Sequence, residues 1–315
     1  MAQRLALAVI PGVGWRASDI CTIAQEAEGA GFEAIFATEV NVDVLAVAQL
    51  MGTATSAINV GSWIANIYLR NSYVCAKGAA LIADATGGRM ILGLGVSHQP
   101  INKALGVDMA TPIETLRAYV TETAGWLRGE GPATHLPQQP SSYPVPIYLG
   151  AMTSTTVELA GEIADGIMPF LWSAERVARS RVWAARGRTK SPSRGASSIM
   201  LGIPTFVGND IPALMTAARA NLSLYTTLPF FQHLMRVSGF VDEAAEAERG
   251  AAEAERGAAN EALSDRFLEA VCLIGPATKC LERLAEYSDA GLDLPILVAP
   301  IGVDGARHVI KAFGR

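Results

Sequence analysis

The chain has 315 residues, of which 50% are hydrophobic and 17% charged, and its formal net charge is −5. This balance supports a large buried core, and it gives no reason to expect a nucleic-acid partner because no basic stripe runs along the chain. The apolar runs are broken well before membrane-spanning length and no leader pattern opens the chain, so we expect a cytoplasmic protein without a membrane segment.

The cysteines and histidines show no metal-binding pattern. The four cysteines are Cys21, Cys75, Cys272 and Cys280, and none of them forms a C-x-x-C pair. No two of the four histidines lie at a spacing typical of metal ligands. We therefore predict reduced, mostly buried thiols and no metal site.

Apolar runs typical of buried strands alternate with amphipathic helical stretches. The predicted strands span residues 5–11, 32–38, 58–68, 89–95, 145–151, 165–171, 199–207 and 294–300. The predicted helices span residues 18–31, 44–55, 73–86, 112–128, 154–164 and 173–186, and another begins at 212. This alternation favours one α/β domain over residues 1–315, a (β/α)8 TIM barrel with insertions. An open doubly wound sheet is the alternative, but no G-x-G-x-x-G follows the first strand.

Residues 208–262 are predicted to form an insertion in this barrel. Within it, AAEAERG at 244–250 is repeated without change at 251–257. Each glycine costs ~1 kcal/mol in a helix interior relative to alanine, so we expect residues 244–257 to form a mobile linker. A coiled coil is excluded because alanine fills the apolar positions.

Polar and aromatic residues follow two of the predicted strands where those strands end. The third strand runs through Trp63 and Asn66 toward Arg70, and the fourth ends at Gly95, shortly before His98. In a parallel barrel the carboxyl ends of the strands form the ligand-binding face. A histidine there titrates near neutrality and can act as an acid or a base.

Several sequence patterns carry a family resemblance. Residues 61–70 read G-x-x-x-x-N-x-Y-x-R, and residues 83–95 read A-D-x-x-x-G-R-x-x-L-G-L-G. With VPIYLGA at 145–151 and ADGIMP at 164–169, they resemble the luciferase-like monooxygenase superfamily. The resemblance is closest to its coenzyme F420-dependent branch, which includes methylenetetrahydromethanopterin reductase. It covers roughly residues 5–169 and implies a bacterial-luciferase-like barrel.

The resemblance also implies where a cofactor would lie. It places a non-prolyl cis peptide at Trp63-Ile64, in a bulge behind the flavin ring, and it assigns the loop at 150–155 to the cofactor phosphate. Small residues, amides and hydroxyls at a helix N-terminus suit an anion independently of the resemblance. The predicted cofactor contacts are Trp63, Ile64, Ala65, Asn66, Gly95, Ser97, Gly150, Ala151, Met152, Thr153 and Ser154. An ordinary β-bulge is the alternative at the first site, and plain helix capping is compatible with the second.

Two residues are candidates for handling a proton. His98 aligns with a position that holds a glutamate proton donor in some relatives, and its alternative role is a hydrogen bond to loop backbone. Glu39 closes the second strand, where relatives place an acidic or histidine residue near the ring or substrate; it could equally cap the following helix. Arg70 is a candidate for an ion pair with a carboxylate at the barrel rim.

These patterns predict an oxidoreductase that uses coenzyme F420 as hydride carrier for a small organic substrate. An FMN-dependent monooxygenase of the same fold is one alternative. A non-catalytic partner subunit is another, since Val96-Ser97-His98 replaces a Gly-Glu of relatives. Four apolar residues, equally typical of a core, form a candidate substrate wall: Tyr225, Phe230, Phe231 and Met235.

The helices predicted at 44–55 and 73–86 are unusually poor in charge. A barrel helix normally buries one stripe against the sheet and turns a polar face outward. Apolar residues on more than one face predict a second buried surface, and a symmetric homodimer is the commonest way to supply it. Cover by a neighbouring loop or by the insertion is the alternative.

Overall fold

Eight parallel strands close on themselves in the computed structural model, which describes residues 4–132, 136–254 and 263–315, with backbone only for 251–254. The strands are β1 Ala6–Val9, β2 Ala34–Ala37, β3 Asn59–Ser62, β4 Ala65–Asn66, β5 Met90–Gly95, β6 Ile147–Leu149, β7 Gly166–Ile167, β8 Ser198–Val207, β9 Leu273–Gly275 and β10 Leu294–Val298. They pair in the order β10-β1-β2-β3-β5-β6-β7-β8, and β10 also pairs with β8, which closes the ring. The predicted (β/α)8 barrel is confirmed.

Helices surround this barrel and connect its strands. They are α1 Ala17–Gly29, α2 Val44–Ala54, α3 Ser72–Ala85, α4 Gln99–Ala104, α5 Pro112–Leu127, α6 Ser154–Ile163, α7 Ala174–Arg188, α8 Ile211–Thr226, α9 Pro229–Val237, α10 Val241–Ala254, α11 Asp265–Val271, α12 Ala277–Asp289 and α13 Val303–Phe313. Within the described ranges, no helix combines the length and the apolarity needed to cross a membrane.

The structure differs from the predicted elements in several places. The predicted strand at 58–68 is divided into β3 and β4, the short helix α4 follows β5, and the helices α9 to α13 were not predicted. The strand β9 pairs with the far end of β8, where Thr205 lies opposite Leu273. The pairing of β4 with β5 and of β9 with β8 joins distant segments, which local periodicity does not report.

The insertion contains α8, α9 and α10. The first AAEAERG copy lies within α10, where Ala244 and Ala247 are fully buried. Glu243, just before this copy, accepts hydrogen bonds from Ser264 and Arg266. The second copy continues α10 as far as Ala254, and residues 255–257 lie outside the described residues, so the mobility of 244–257 stays a prediction.

Side chains from the strands fill the barrel interior. The cluster consists of Ala6, Ala8, Ala34, Phe36, Ile91, Tyr148, Met168, Met200, Leu294, Ile296 and Val298. Trp63, Ile64 and Phe170 pack against this cluster, each following the carboxyl end of a barrel strand. The barrel core therefore continues directly into the face where the candidate site lies.

Candidate functional site

The chain bulges between β3 and β4 at the position that the sequence singled out. The Trp63-Ile64 peptide bond is cis. The Trp63 amide donates to the Ala37 carbonyl at 2.8 Å, while Ala65 and Asn66 pair with the end of β5. The bulge is thus fixed by strands on both sides.

Ile64 brings three candidate segments together. A Cβ atom on Gly95 would lie 1.9 Å from Ile64 Cδ1, and one on Gly150 would lie 3.0 Å from the same atom. On the other side of the bulge, a Cβ on Gly202 would lie 2.0 Å from the Trp63 ring. Ile64 therefore packs against the bare backbone of Gly150, and the predicted phosphate site at this loop stays a prediction.

Glu39 holds the bulge from the side of β2. Its carboxylate accepts the Asn66 backbone N–H at 2.6 Å and pairs with the Arg70 guanidinium, whose Nη1 lies 3.1 Å away. The side chains of Glu39 and Arg70 are only 5% and 11% exposed. The expected partner of Arg70 at the barrel rim is thus Glu39. These contacts give Glu39 an anchoring role, and its part in proton transfer stays a prediction.

A buried pair of amides ties the bulge to the segment after β5. Asn66 Nδ2 donates to Asn102 Oδ1 at 2.7 Å, and Asn102 Nδ2 donates to the Val96 carbonyl at 2.7 Å. Asn102 lies in α4 and is fully buried. No sequence pattern distinguishes this residue, because it is a single asparagine in a helix of six residues.

His98 lies at the N-terminal boundary of α4 and is half-buried. Burial lowers its pKa, so the imidazole is neutral at pH 7. Neither ring nitrogen hydrogen-bonds to a residue that the structure describes, so the alternative role in binding loop backbone is not seen. Its ring faces Phe231 and Tyr225, with centroids 5.6 Å and 6.4 Å away.

An aromatic cluster covers the mouth of the barrel. The ring centroids of Trp63 and Phe170 are 5.3 Å apart, those of Phe170 and Tyr225 are 5.1 Å apart, and those of Tyr225 and Phe231 are 4.7 Å apart. Burial raises the pKa of Tyr225 to about 12, so its phenol stays protonated. Because Tyr225 and Phe231 come from α8 and α9, the insertion supplies one wall of the site.

Backbone conformation sets this face of the barrel apart. Among the described residues, those other than glycine with a positive φ are Asn41 (54°), Ser97 (59°) and Leu171 (54°). Each follows the carboxyl end of a barrel strand, respectively β2, β5 and β7. Such residues cost of order 1 kcal/mol or more and cluster at ligand sites, which supports placing the site here.

The loop from Gly150 to Ser154 begins α6. Thr153 caps the helix by accepting the Thr156 amide at 3.3 Å, and Thr156 Oγ1 accepts the Met152 and Thr153 amides at 3.1 Å and 3.0 Å. Plain capping is therefore present. Ser154 in the first turn is exposed, and first-turn amides have no partner within their helix. Ala151 beneath the turn is fully buried.

Two other observations limit the chemistry of this face. The described residues contain no group of three or more His, Cys, Asp or Glu side chains that could hold a metal ion. A cavity of about 440 Å³ lies near the opposite ends of the strands, beside Ile147 and Asp165. We place the candidate site at the bulge instead, since this cavity is lined by none of the candidate residues.

Comparisons with known proteins agree with this geometry. The chain matches the family model of the luciferase-like monooxygenases over residues 7–294. A 5,10-methylenetetrahydromethanopterin reductase of Methanolobus tindarius is 26% identical over 309 residues, covering 94% of both chains. The solved structure of a coenzyme F420-dependent tetrahydromethanopterin reductase from Methanopyrus kandleri aligns with a TM-score of 0.80 at 18% identity, covering 99% of this chain and 98% of that chain. An F420-dependent secondary alcohol dehydrogenase aligns with a TM-score of 0.74 at 16% identity, with the same coverage. The chain therefore belongs to the luciferase-like monooxygenase family.

Proposed function

We propose that this protein is an oxidoreductase that uses coenzyme F420 to transfer a hydride to or from a small organic substrate. The observation that carries the proposal is the packing of Ile64 against Gly95 and Gly150, beside the N-terminus of α6. This arrangement places a side chain that could support a ring next to a helix N-terminus, where negative charge is favoured. A relative from Mycobacterium tuberculosis described as a putative coenzyme F420-dependent oxidoreductase is 24% identical over 306 residues, covering 87% of this chain, and supports the choice of cofactor.

The described residues fit a planar cofactor that bears a phosphate. Trp63 and Ile64 would support the ring from behind, and the amide and hydroxyl of Ser154, next to the Thr153 cap, would hold the phosphate. When bound, coenzyme F420 supplies a ring carbon that gives or takes a hydride. The protein contributes orientation, since Glu39 and Asn102 fix the bulge that sets the position of the ring.

His98 is the residue that we propose for moving the accompanying proton. Its imidazole is neutral, and its nitrogens carry no hydrogen bond to a described residue, so one nitrogen can accept a proton from a substrate hydroxyl. Phe231 and Tyr225 lie against the ring and limit the access of water. With Phe170 they form the proposed apolar substrate wall, which favours a small substrate with one polar reacting group.

We also propose a homodimer that forms through α3. Val74 and Leu81 lie seven residues apart on one face of this helix and are 59% and 60% exposed. In contrast, Val47 and Met51 of α2 are buried within the subunit. A cytoplasmic location fits the free cysteines, because reducing compartments preserve thiols.

Cofactor binding tests the proposed function. The purified apoprotein is titrated separately with coenzyme F420 and with FMN, and fluorescence reports binding. Tight binding of F420 supports the proposal. Oxygen consumption with reduced FMN would instead favour the monooxygenase, because deazaflavins do not activate oxygen. A folded dimer that binds neither cofactor at micromolar concentration would favour the partner-subunit alternative.

A further inference from the structure

Arg176 is the most deeply buried charged side chain that the structure describes, with an exposed fraction of 2%. It lies in the first turn of α7, behind the loop that begins α6. Its Nη2 donates to the Met152 carbonyl at 2.8 Å, and its Nη1 donates to the Val237 carbonyl at 3.4 Å. The guanidinium thus joins the loop to the end of α9.

The surroundings of this guanidinium are aromatic rather than acidic. Its central carbon lies 5.3 Å from the Trp172 ring centroid and 5.5 Å from that of Trp183. In the described parts of the chain, no carboxylate pairs with it and its Nε has no hydrogen-bond partner. Burial, with a smaller contribution from the charge of Arg179, lowers the pKa of Arg176 to about 10, so it remains charged at neutral pH.

A buried charge without a counter-charge is costly, so a bound anion close to Arg176 would be favoured. Because Arg176 Nη2 donates to the Met152 carbonyl, its positive charge would act on an anion bound at the loop from Gly150 to Ser154. The N-terminus of α6 favours negative charge at the same place. The charge of Arg176 and the positive end of α6 therefore both favour an anion beside the exposed residue Ser154.

We propose that Arg176 is a positioning and charge-supplying residue that makes the site prefer a phosphate-bearing cofactor to its phosphate-free form. This inference rests on the proposed function, because it takes the cofactor phosphate as the anion at the loop. Arg176 acts through the Met152 carbonyl and through its field, without touching the ring. Arg176 should therefore strengthen binding of the phosphate and leave binding of the ring unchanged.

The test compares two ligands in several variants. Dissociation constants are measured by fluorescence for coenzyme F420 and for its deazaflavin chromophore without the phosphate-containing tail, and their ratio gives the phosphate preference. Arg176→Gln keeps a donor for the Met152 carbonyl but removes the charge, and Arg176→Lys keeps the charge. Arg179→Gln is the matched control, because Arg179 is exposed one turn further along the same helix.

We expect Arg176→Gln to reduce the phosphate preference by about tenfold, with little change in affinity for the phosphate-free chromophore. Arg176→Lys should keep the preference within about threefold of wild type, and Arg179→Gln should leave it unchanged. If Arg176→Gln does not fold, Arg176→Met replaces it as the charge-removing variant: loss of the preference with unchanged chromophore affinity would support the inference, and an unchanged preference would overturn it.

The unfavourable outcomes separate this inference from the proposed function. If Arg176→Gln lowers the affinity for both ligands equally, Arg176 has only a structural role. This inference is then rejected, while the proposed function stands. A wild-type protein that binds both ligands equally would reject the phosphate loop and this inference, while F420 dependence would stand. A wild-type protein that binds neither ligand would reject the proposed function and the inference with it.

Discussion

Replacing Gly95 by alanine tests whether the bulge and the end of β5 form one unit. A Cβ at position 95 would lie 1.9 Å from Ile64 Cδ1, whereas ordinary carbon contacts are about 3.5–4.0 Å. The end of the Ile64 side chain must therefore move by roughly 1.6–2.1 Å. Overpacking of this kind typically costs about 1–3 kcal/mol of stability. We expect Gly95→Ala to lose stability in that range and to bind cofactor more weakly.

The same clash predicts its own rescue. Ile64→Val removes Cδ1, at a cost of about 0.5–1.5 kcal/mol when made alone. The next atom that a Cβ on Gly95 would meet is Ile64 Cγ1, at 3.3 Å, which is tight but tolerable. The double variant should therefore lose less stability than the sum of the single variants, by about 1 kcal/mol or more.

Urea unfolding and cofactor titration of the four proteins measure this coupling. Gly29→Ala is the control, because nothing lies within 4 Å of a Cβ there and the change should be neutral or stabilise by less than about 1 kcal/mol. Additive effects of Gly95→Ala and Ile64→Val, in stability and in cofactor affinity, would refute the packing argument.

Three further predictions concern the ion pair, the histidine and the subunit interface. Glu39→Gln should lower the free energy of unfolding by about 2 kcal/mol, because it removes a buried carboxylate from a charged partner, whereas Glu33→Gln in an exposed pair should cost under about 1 kcal/mol. Urea unfolding compares the two, and equal losses would contradict the anchoring role. Because the pKa of His98 is lower in the folded protein than in the unfolded chain, the unfolded chain takes up a proton at this residue as the pH falls through about 6.5, while the folded protein does not. Acidification should therefore destabilise the wild type more than His98→Gln. Parallel stability profiles from pH 7.5 to 5.5 would contradict this. Val74→Glu combined with Leu81→Glu should convert the dimer to a particle near the monomer mass of 33.1 kDa by light scattering, and an unchanged mass would exclude the α3 interface.

The barrel could be predicted because its physical cause is local. Strands buried on both faces read as continuous apolar runs, and amphipathic stretches between them read as helices. The eight barrel strands therefore appear at their predicted places. The helix α4 is only six residues long and has no pattern of its own, and β9 exists because β8 extends beyond the barrel to pair with it.

Of the predicted site, the structure bears on the geometry and leaves its role in binding a prediction. The family resemblance led to the Trp63-Ile64 bulge and to the loop at Gly150, but the reason for glycine at 150 is the Ile64 side chain. Glu39 and Arg70 lie 31 residues apart in the sequence, so their pairing is visible only in three dimensions. Arg176 was missed for the same reason, since its burial depends on Trp172, Trp183 and two distant carbonyls.

These contacts divide the candidate site into two parts that respond differently to mutation. Ile64 fills the space at both Gly95 and Gly150, so a change at any of the three should move the ring support and the phosphate loop together. Arg176 touches only the loop side, through the Met152 carbonyl. A substitution that weakens F420 and its phosphate-free chromophore alike therefore acts on the bulge, while one that weakens F420 alone acts on the loop. Measuring both ligands in Gly95→Ala and Arg176→Gln separates the packing of the site from its charge.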